Sequence, residues 1–279
     1  MTAMDLFAKL PEGCIAEIVS FTSPADASAL SVISKRFKSA TESDSVWKKF
    51  LPPDIDEIVS KSSIPSYLAP TKKDLYALLS HSHILLDGGK LGFFLEKSTG
   101  KKCFIVAPSE LVFTEKIYSN GQIMVQELIF ARSSDVAVLN LMAGRMFNIL
   151  GRITPQKLSE ETHYSSYLVY KLSPKRSYFN VSFTGCRFVD NEGRVVRDRM
   201  NSYVRIPVSR EDGWFEVEIG TFFNAEGNRS DVESCVFNLC LQFGQSLIVR
   251  GIEFRPETIF GDMSDCGIFK EFLEEKLNF

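Results

Sequence analysis

The hydrophobic period changes near residue 85, and this constrains the fold more than any other feature. Before it, large apolar residues recur at helical spacing. Cys14, Ile18 and Phe21 share a face with Ile15 beside them, Leu30, Ile33 and Phe37 follow, and Val46, Trp47 and Phe50 come next. Beyond residue 90 the period is two. Phe215, Val217 and Ile219 alternate with Trp214, Glu216 and Glu218, and Cys235, Phe237, Leu239, Leu241 and Phe243 alternate with mostly polar neighbours. Phe179, Val181 and Phe183 alternate with Asn180, Ser182 and Thr184. Half-buried strands of this kind build antiparallel sheets. The pattern predicts an α+β multidomain chain, with three short helices followed by an antiparallel β-sandwich.

Punctuation supports this division. Ser23-Pro24-Ala25-Asp26 reads as an N-cap, a first-turn proline and a first-turn carboxylate, and Ser43-Asp44 caps a third helix that Pro52-Pro53 stops. The spacing predicts a further helix over Lys72–His81, with Leu75, Leu78 and Leu79 turned inward. Tyr164–Leu172 and Leu247–Phe254 read as strands, with a bulge at Gly251, and Asp190–Gly193 as a turn. The domains are expected at 5–52, 53–85 (a helical connector), 86–256 and 257–279. In the last, Ile268, Phe269, Phe272 and Leu273 predict a short helix packed on the sandwich.

Charge and cysteine content exclude several function classes. Lys+Arg number 32 against 35 Asp+Glu, and residues 1–90 carry 10 basic and 11 acidic side chains, so no basic half is hidden. Nucleic-acid binding through phosphate contacts is not expected. Neither is a membrane partner: the apolar stretch Val136–Leu150 is interrupted by Asn140, Arg145 and Asn148. Asp5, Lys9 and Glu12 stand where a signal peptide would be apolar. Six cysteines, at 14, 103, 186, 235, 240 and 266, form no Cys-x-x-Cys pair. They are expected to be reduced thiols of a cytoplasmic or nuclear protein, in which the sequons at Asn180 and Asn228 carry no glycan.

Catalytic patterns fail on inspection. His81-x-His83 has no cysteine or carboxylate at a matching ligand spacing, so no metal is expected. Gly100-Lys101 lacks the first glycine and the Ser/Thr of a phosphate loop, and no Gly-x-Ser-x-Gly is present. Cys103 sits beside Lys101 and Lys102, but its alternating surroundings make it a core strand residue. Glu216 and Glu218 share a strand face and are expected to be solvated. No catalytic residue and no cofactor is expected.

Three short helices in about 40 residues bury too little surface to stand alone. A unit this rich in large apolar groups packs either on its own chain or on a second protein, and physics leaves both open.

The run Leu10-Pro11-Glu12-Gly13-Cys14-Ile15-Ala16-Glu17-Ile18, with Ser23-Pro24-Ala25-Asp26-Ala27, Ser34-Lys35-Arg36-Phe37, Ser43-Asp44, Trp47 and Phe50-Leu51-Pro52, resembles an F-box. The resemblance implies docking on the Skp adaptor of Skp–cullin–F-box ubiquitin ligases. It makes Leu10, Pro11, Ile15, Ile18, Leu30, Val32, Ser34, Phe37 and Trp47 contact or contact-supporting positions. From Leu86 to Pro256 the chain is similar to the phloem protein 2 family of plants. The similarity rests on Leu86-Asp87-Gly88-Gly89-Lys90, Ser98–Cys103, Ser109-Glu110-Leu111, Tyr164–Leu172, Asp212-Gly213-Trp214 with the strand after it, and Gly251-Ile252-Glu253-Phe254-Arg255-Pro256.

These resemblances imply a lectin-like β-sandwich and a substrate receptor. In the role so implied, the F-box docks the adaptor, and through it the cullin, and the sandwich captures a target protein, glycosylated or not. Some family members bind N-acetylglucosamine-type glycans, and a carbohydrate-binding module is the alternative. This chain departs from the family where tryptophans are usual. Phe93-Phe94-Leu95, Val112–Gly121 and Asn140–Phe147 carry none, and only Trp47 and Trp214 remain. Trp214 and Tyr118 are the candidate ligand aromatics. Trp214 is otherwise read as packed core.

Overall fold

The computed structural model describes residues 10–62, 64–65, 68–119, 122–127, 136–140, 146–173, 181, 183–201, 206–240 and 246–257. Six α-helices precede the first strand among the described residues. They are α1 Glu12–Val19, α2 Pro24–Leu30, α3 Lys35–Thr41, α4 Asp44–Phe50, α5 Ile55–Ser60 and α6 Lys72–His81. Side-chain caps fix several of their starts. Ser23 Oγ accepts from the Asp26 N–H at 3.1 Å with Pro24 at the first helical position, and Thr71 Oγ1 accepts from the Asp74 N–H at 3.0 Å. The spacing of Leu30, Ile33 and Phe37 suggested one helix, but the structure has two. Ser34 Oγ accepts from the Phe37 N–H at 3.3 Å and opens α3, while Val32 and Ile33 stand in the turn before it. Four helices therefore span the stretch read as three.

Fourteen described strands follow: β1 Ile84–Leu86, β2 Leu91–Leu95, β3 Lys102–Val106, β4 Val112–Ser119, β5 Gln122–Glu127, β6 Ala137–Asn140, β7 Met146–Ile153, β8 Thr162–Ser173, β9 Phe183–Val189, β10 Val195–Asn201, β11 Val208–Ser209, β12 Phe215–Asn224, β13 Asp231–Leu239 and β14 Ser246–Pro256. One sheet runs β1-β2-β3-β14-β8-β12-β11, with β6 also on β14, and the other runs β10-β9-β13-β7-β4-β5. All the pairings among them are antiparallel. The expected bulge lies in β14, where the register shifts between Val249 and Gly251. A Cβ at Gly251 would meet the Val106 carbonyl of β3, so only glycine lets the two strands approach here.

The two sheets join around Phe222. Its ring stacks on Tyr164 at 5.8 Å, and it meets Phe254 and Phe188 edge-on at 6.2 Å, Phe188 coming from the opposite sheet. Such contacts add about 0.5–1.5 kcal/mol each beyond area burial. Near β10 the sheets pinch together. A Cβ on Gly220 would lie 2.9 Å from the Gly185 Cα, and one on Gly185 would run into the Arg199 carbonyl.

Strand parity differs from expectation in β9 and β13. Thr184, Cys186 and Phe188 are buried while Phe183 is exposed. In β13 Cys235 and Leu239 are buried as expected, but Val232 and Val236 also join the core, and Leu239 follows a register shift at which Asn238 takes φ 54°. A left-handed residue inserted in the strand restores Leu239 to the inner face, an offset that alternation alone does not show. Phe179, Leu241, Phe243 and the expected C-terminal helix lie outside the described residues.

The helical unit is not a separate bead. Trp47 Nε1 donates to the Thr41 carbonyl at 2.6 Å, and its ring meets Phe50 at 5.6 Å and Tyr76 of α6 at 5.2 Å. The Tyr76 hydroxyl donates to the Glu96 and Lys97 carbonyls between β2 and β3. Gly100 at φ 71° lies where a Cβ would collide with the Phe50 carbonyl, and Lys102 Nζ pairs with Asp54 at 3.0 Å. One apolar cluster consequently runs from Ile15 through Trp47, Tyr76 and Leu79 to Phe93, Phe222 and Phe254.

Candidate docking surface and ligand cleft

The residues assigned to adaptor docking separate into a surface and its support. Val32 is 86% exposed, Ile18 is 45% exposed and Pro11 is also exposed, whereas Leu10, Leu30 and Phe37 pack partly against the core. Ser34 is the cap of α3. Ile15 and Trp47 show at most 4% of their surface. They cannot touch a partner directly, and their place is to hold the helices together. The start of α1 is clamped to α3: Arg36 Nη2 donates to the Leu10 carbonyl at 2.9 Å and Ser39 Oγ to Glu12 Oε1. Sequence reasoning left Phe21 and Ile33 out of the docking set, yet they are 75% and 46% exposed. Lys49 Nζ lies 5.1 Å above the Phe21 ring.

On the β-domain a cleft of about 260 Å3 opens between the end of α6 and the outer face of the eight-stranded sheet. Ser80, His81, Ser82 and His83 form one wall, Phe94 and Ile105 contribute apolar surface, and Arg210, Asp212, Arg250 and Glu253 complete the lining. The ionic side is a connected network. Arg210 Nη1 lies 2.7 Å from Glu253 and 3.0 Å from Glu216, Arg255 reaches Glu216 at 2.8 Å, and Arg250 reaches Asp212 at 2.9 Å. Glu216 is therefore not the solvated strand residue expected from alternation. Burial works against the Asp212 carboxylate, but the Trp214 N–H together with Arg210 and Arg250 holds it below the usual range. Partial burial, then Arg250, pushes the His83 imidazole below its usual pKa and favours the neutral ring.

Trp214 is half-buried, packed against its own sheet rather than in the core between the sheets. Lys171 Nζ sits 4.4 Å and the Arg250 guanidinium 5.6 Å from its ring centroid. The ring thus serves the cations of its own sheet. Tyr118 lies in β4, away from this cleft in the opposite sheet, and its side chain is outside the described residues, so the structure does not bring the two candidate aromatics together. The cleft residues had a faint sequence signal. Arg250, Glu253 and Arg255 interrupt an otherwise apolar strand, and such charges need partners.

Among the described residues no group of His, Cys, Asp and Glu is arranged to hold a metal, and no helix is long and apolar enough to cross a membrane. Cys103 is fully buried, and burial pushes its thiol well above the ordinary range, as suits a core residue. Cys14, Cys103, Cys186, Cys235 and Cys240 are free thiols.

Clustered short helices with exposed apolar groups, fused to a two-sheet sandwich, have counterparts among known proteins. A family model described as F-box domain matches residues 7–49, and one described as Phloem protein 2 matches residues 101–256. The F-box protein At2g02240 of Arabidopsis thaliana is 36% identical over 270 residues, spanning 90% of this chain and 80% of its own length. The putative F-box protein PP2-B2 of the same plant is 35% identical, spanning 90% and 83%. F-box protein SKIP3, also from Arabidopsis thaliana, is 34% identical, spanning 92% and 90%. The matched segments coincide with the helical unit and the sandwich built above, and the chain belongs to the phloem protein 2 family, in the form that carries an F-box ahead of the β-domain.

Proposed function

We propose that this chain is the substrate-receptor subunit of a Skp–cullin–F-box ubiquitin ligase. Its F-box docks the Skp adaptor and its sandwich captures a target protein. The observation that carries this reading is the exposure of Ile18 near the end of α1 and of Phe21, Val32 and Ile33 in the adjoining turns, on a unit already fixed by its own core. A short helical unit that leaves large apolar groups in water, while Trp47 and Ile15 satisfy its interior, is built to cover those groups with a partner. The relatives named F-box proteins over most of their length support the same role.

Transfer chemistry belongs to other subunits in this reading, and the chain contributes proximity. The shared core of F-box and sandwich supports it, because a target held on the sandwich keeps a fixed orientation to the adaptor. The free thiols fit a reducing compartment, cytoplasmic or nuclear.

The test is co-expression with a plant Skp adaptor followed by size-exclusion chromatography. The expected result is a one-to-one complex, lost in the Leu10→Ala/Pro11→Ala double variant and in Val32→Asp while both variants melt normally. An adaptor-indifferent monomer, or a complex unchanged by these variants, overturns the proposal.

A further inference from the structure

The open side of the sandwich carries a basic, apolar strand edge. Among the described strands β10 ends the six-stranded sheet and β11 ends the eight-stranded one, and the chain passes directly from one to the other. Both sheet edges therefore lie on the same side of the domain. Residues 191–199 are all exposed. Val195, Val196, Ile206 and Val208 are 46%, 62%, 65% and 59% exposed, a concentration of bare apolar side chains along one short stretch. Arg194 pairs with Asp190 and Glu192, whereas Arg197 and Arg199 make no ion pair among the described residues.

From this we infer that the β10 edge is a strand-addition site for an extended acidic peptide segment of a target protein. The inference deepens the proposal above and rests on its reading of the sandwich as the capturing domain. An edge strand offers unpaired N–H and C=O groups along its free side, so an added strand gains affinity from the backbone ladder and selectivity from alternate side chains. Here the selecting groups are valines for apolar side chains and Arg197 and Arg199 for carboxylates. Three arginines stand against the single Asp198 between 194 and 199, although the whole chain is net acidic at −3. The same charges select against a second copy. Antiparallel self-pairing centred on Asp198 sets Arg197 of one copy against Arg199 of the other, and like charges opposite each other destabilise a ladder. From Arg197 to Asn201 the ladder to β9 behind is continuous, with Gly185 close to the Arg199 carbonyl, and the register shifts once between Val195 and Arg197, so the arginine half of the edge is presented already formed.

The experiment uses the full chain and a fluorescein-labelled peptide of alternating Glu and Val, followed by anisotropy. The expected result is saturable binding, weakened about tenfold or more by Arg197→Glu/Arg199→Glu. It should also be lost when alternate peptide nitrogens are methylated, and absent for the matching Lys-Val peptide. Arg197→Gln/Arg199→Gln serves if the reversed charges prevent folding, with a smaller loss expected. No binding, equal binding of the Lys-Val peptide, or indifference to methylation overturns strand addition. Concentration-dependent dimerisation in sedimentation that blocks the peptide assigns the edge to a second copy and overturns it too. The adaptor complex is measured on the same samples. If it forms while the peptide fails, only this inference falls, and if it does not form, the receptor reading falls on its own evidence.

Discussion

On the helical unit, Ile18, Phe21, Val32 and Ile33 stand largely in solvent, while on the outer face of the eight-stranded sheet Arg210, Glu216, Glu253 and Arg255 pair with one another under partial burial. The two regions use exposed side chains in opposite ways. The first leaves its apolar groups unsatisfied, so a second protein gains by covering them. The second closes its charges internally, so a ligand entering the cleft must displace an existing ion pair. In the proposed reading, binding therefore falls to the bare apolar face and to Arg197 and Arg199 of β10, which make no ion pair among the described residues, more than to the ion-paired cleft.

The largest test of that contrast concerns its common support. Trp47→Ala should lower stability by about 3–5 kcal/mol in thermal or denaturant unfolding, because it removes a buried ring that joins α4 to Tyr76 of α6. Unfolding of the helices alone, with the sandwich transition unmoved, would show that the shared core does not couple the two regions. Next, Glu253→Ala should cost about 2 kcal/mol, because Arg210 loses its closest carboxylate but keeps Glu216 at 3.0 Å. A neutral result would mean that the cleft is hydrated and open to ligands after all. Ile18→Asp and Val32→Asp should each weaken adaptor binding about 30-fold or more while stability moves by less than about 0.5 kcal/mol. A matching loss of stability would place these side chains in the core. Trp214→Ala should cost about 1 kcal/mol, the scale of a partly solvated cation–π site and well below Trp47→Ala.

The smallest expected effect is in pH dependence. His83 faces Arg250, Arg210 and Glu253, and its folded pKa lies below the unfolded value. The unfolded chain therefore binds the proton more readily, and stability rises with pH through the window between the folded value and about 6.5. Substituting His83→Gln should flatten that slope in urea titrations, and an unchanged slope would remove His83 from the electrostatics of the cleft.

Legibility of the sequence followed the physics of each signal. The division near residue 85, the caps at Ser23 and Ser43 and the Gly251 bulge were readable because each rests on neighbours in the chain. Trp214 and Glu216 were misplaced because their partners Lys171, Arg250, Arg210 and Arg255 come from other strands or lie across a turn. The reversal of β9 was hidden for a related reason. Phe183 looked like the inward residue, yet Thr184 shares a face with Cys186 and Phe188, and only pairing with β13 decides which side faces the core. The F-box was legible as a family pattern, but exposure was not, so Ile15 and Val32 looked alike in sequence and differ entirely in accessibility.

The meeting of Gly185 and Gly220 has a further consequence. Two sheets that touch backbone to backbone enclose no calyx at that end, unlike a barrel that swallows its guest. Whatever this domain holds near β10 must be gripped from outside, along a keel where the sandwich is thinnest. A methyl group at Gly220 would act as a wedge, prising the sheets apart from within, and one at Gly185 would push β10 off β9, blunting the edge without altering a single side chain on its surface.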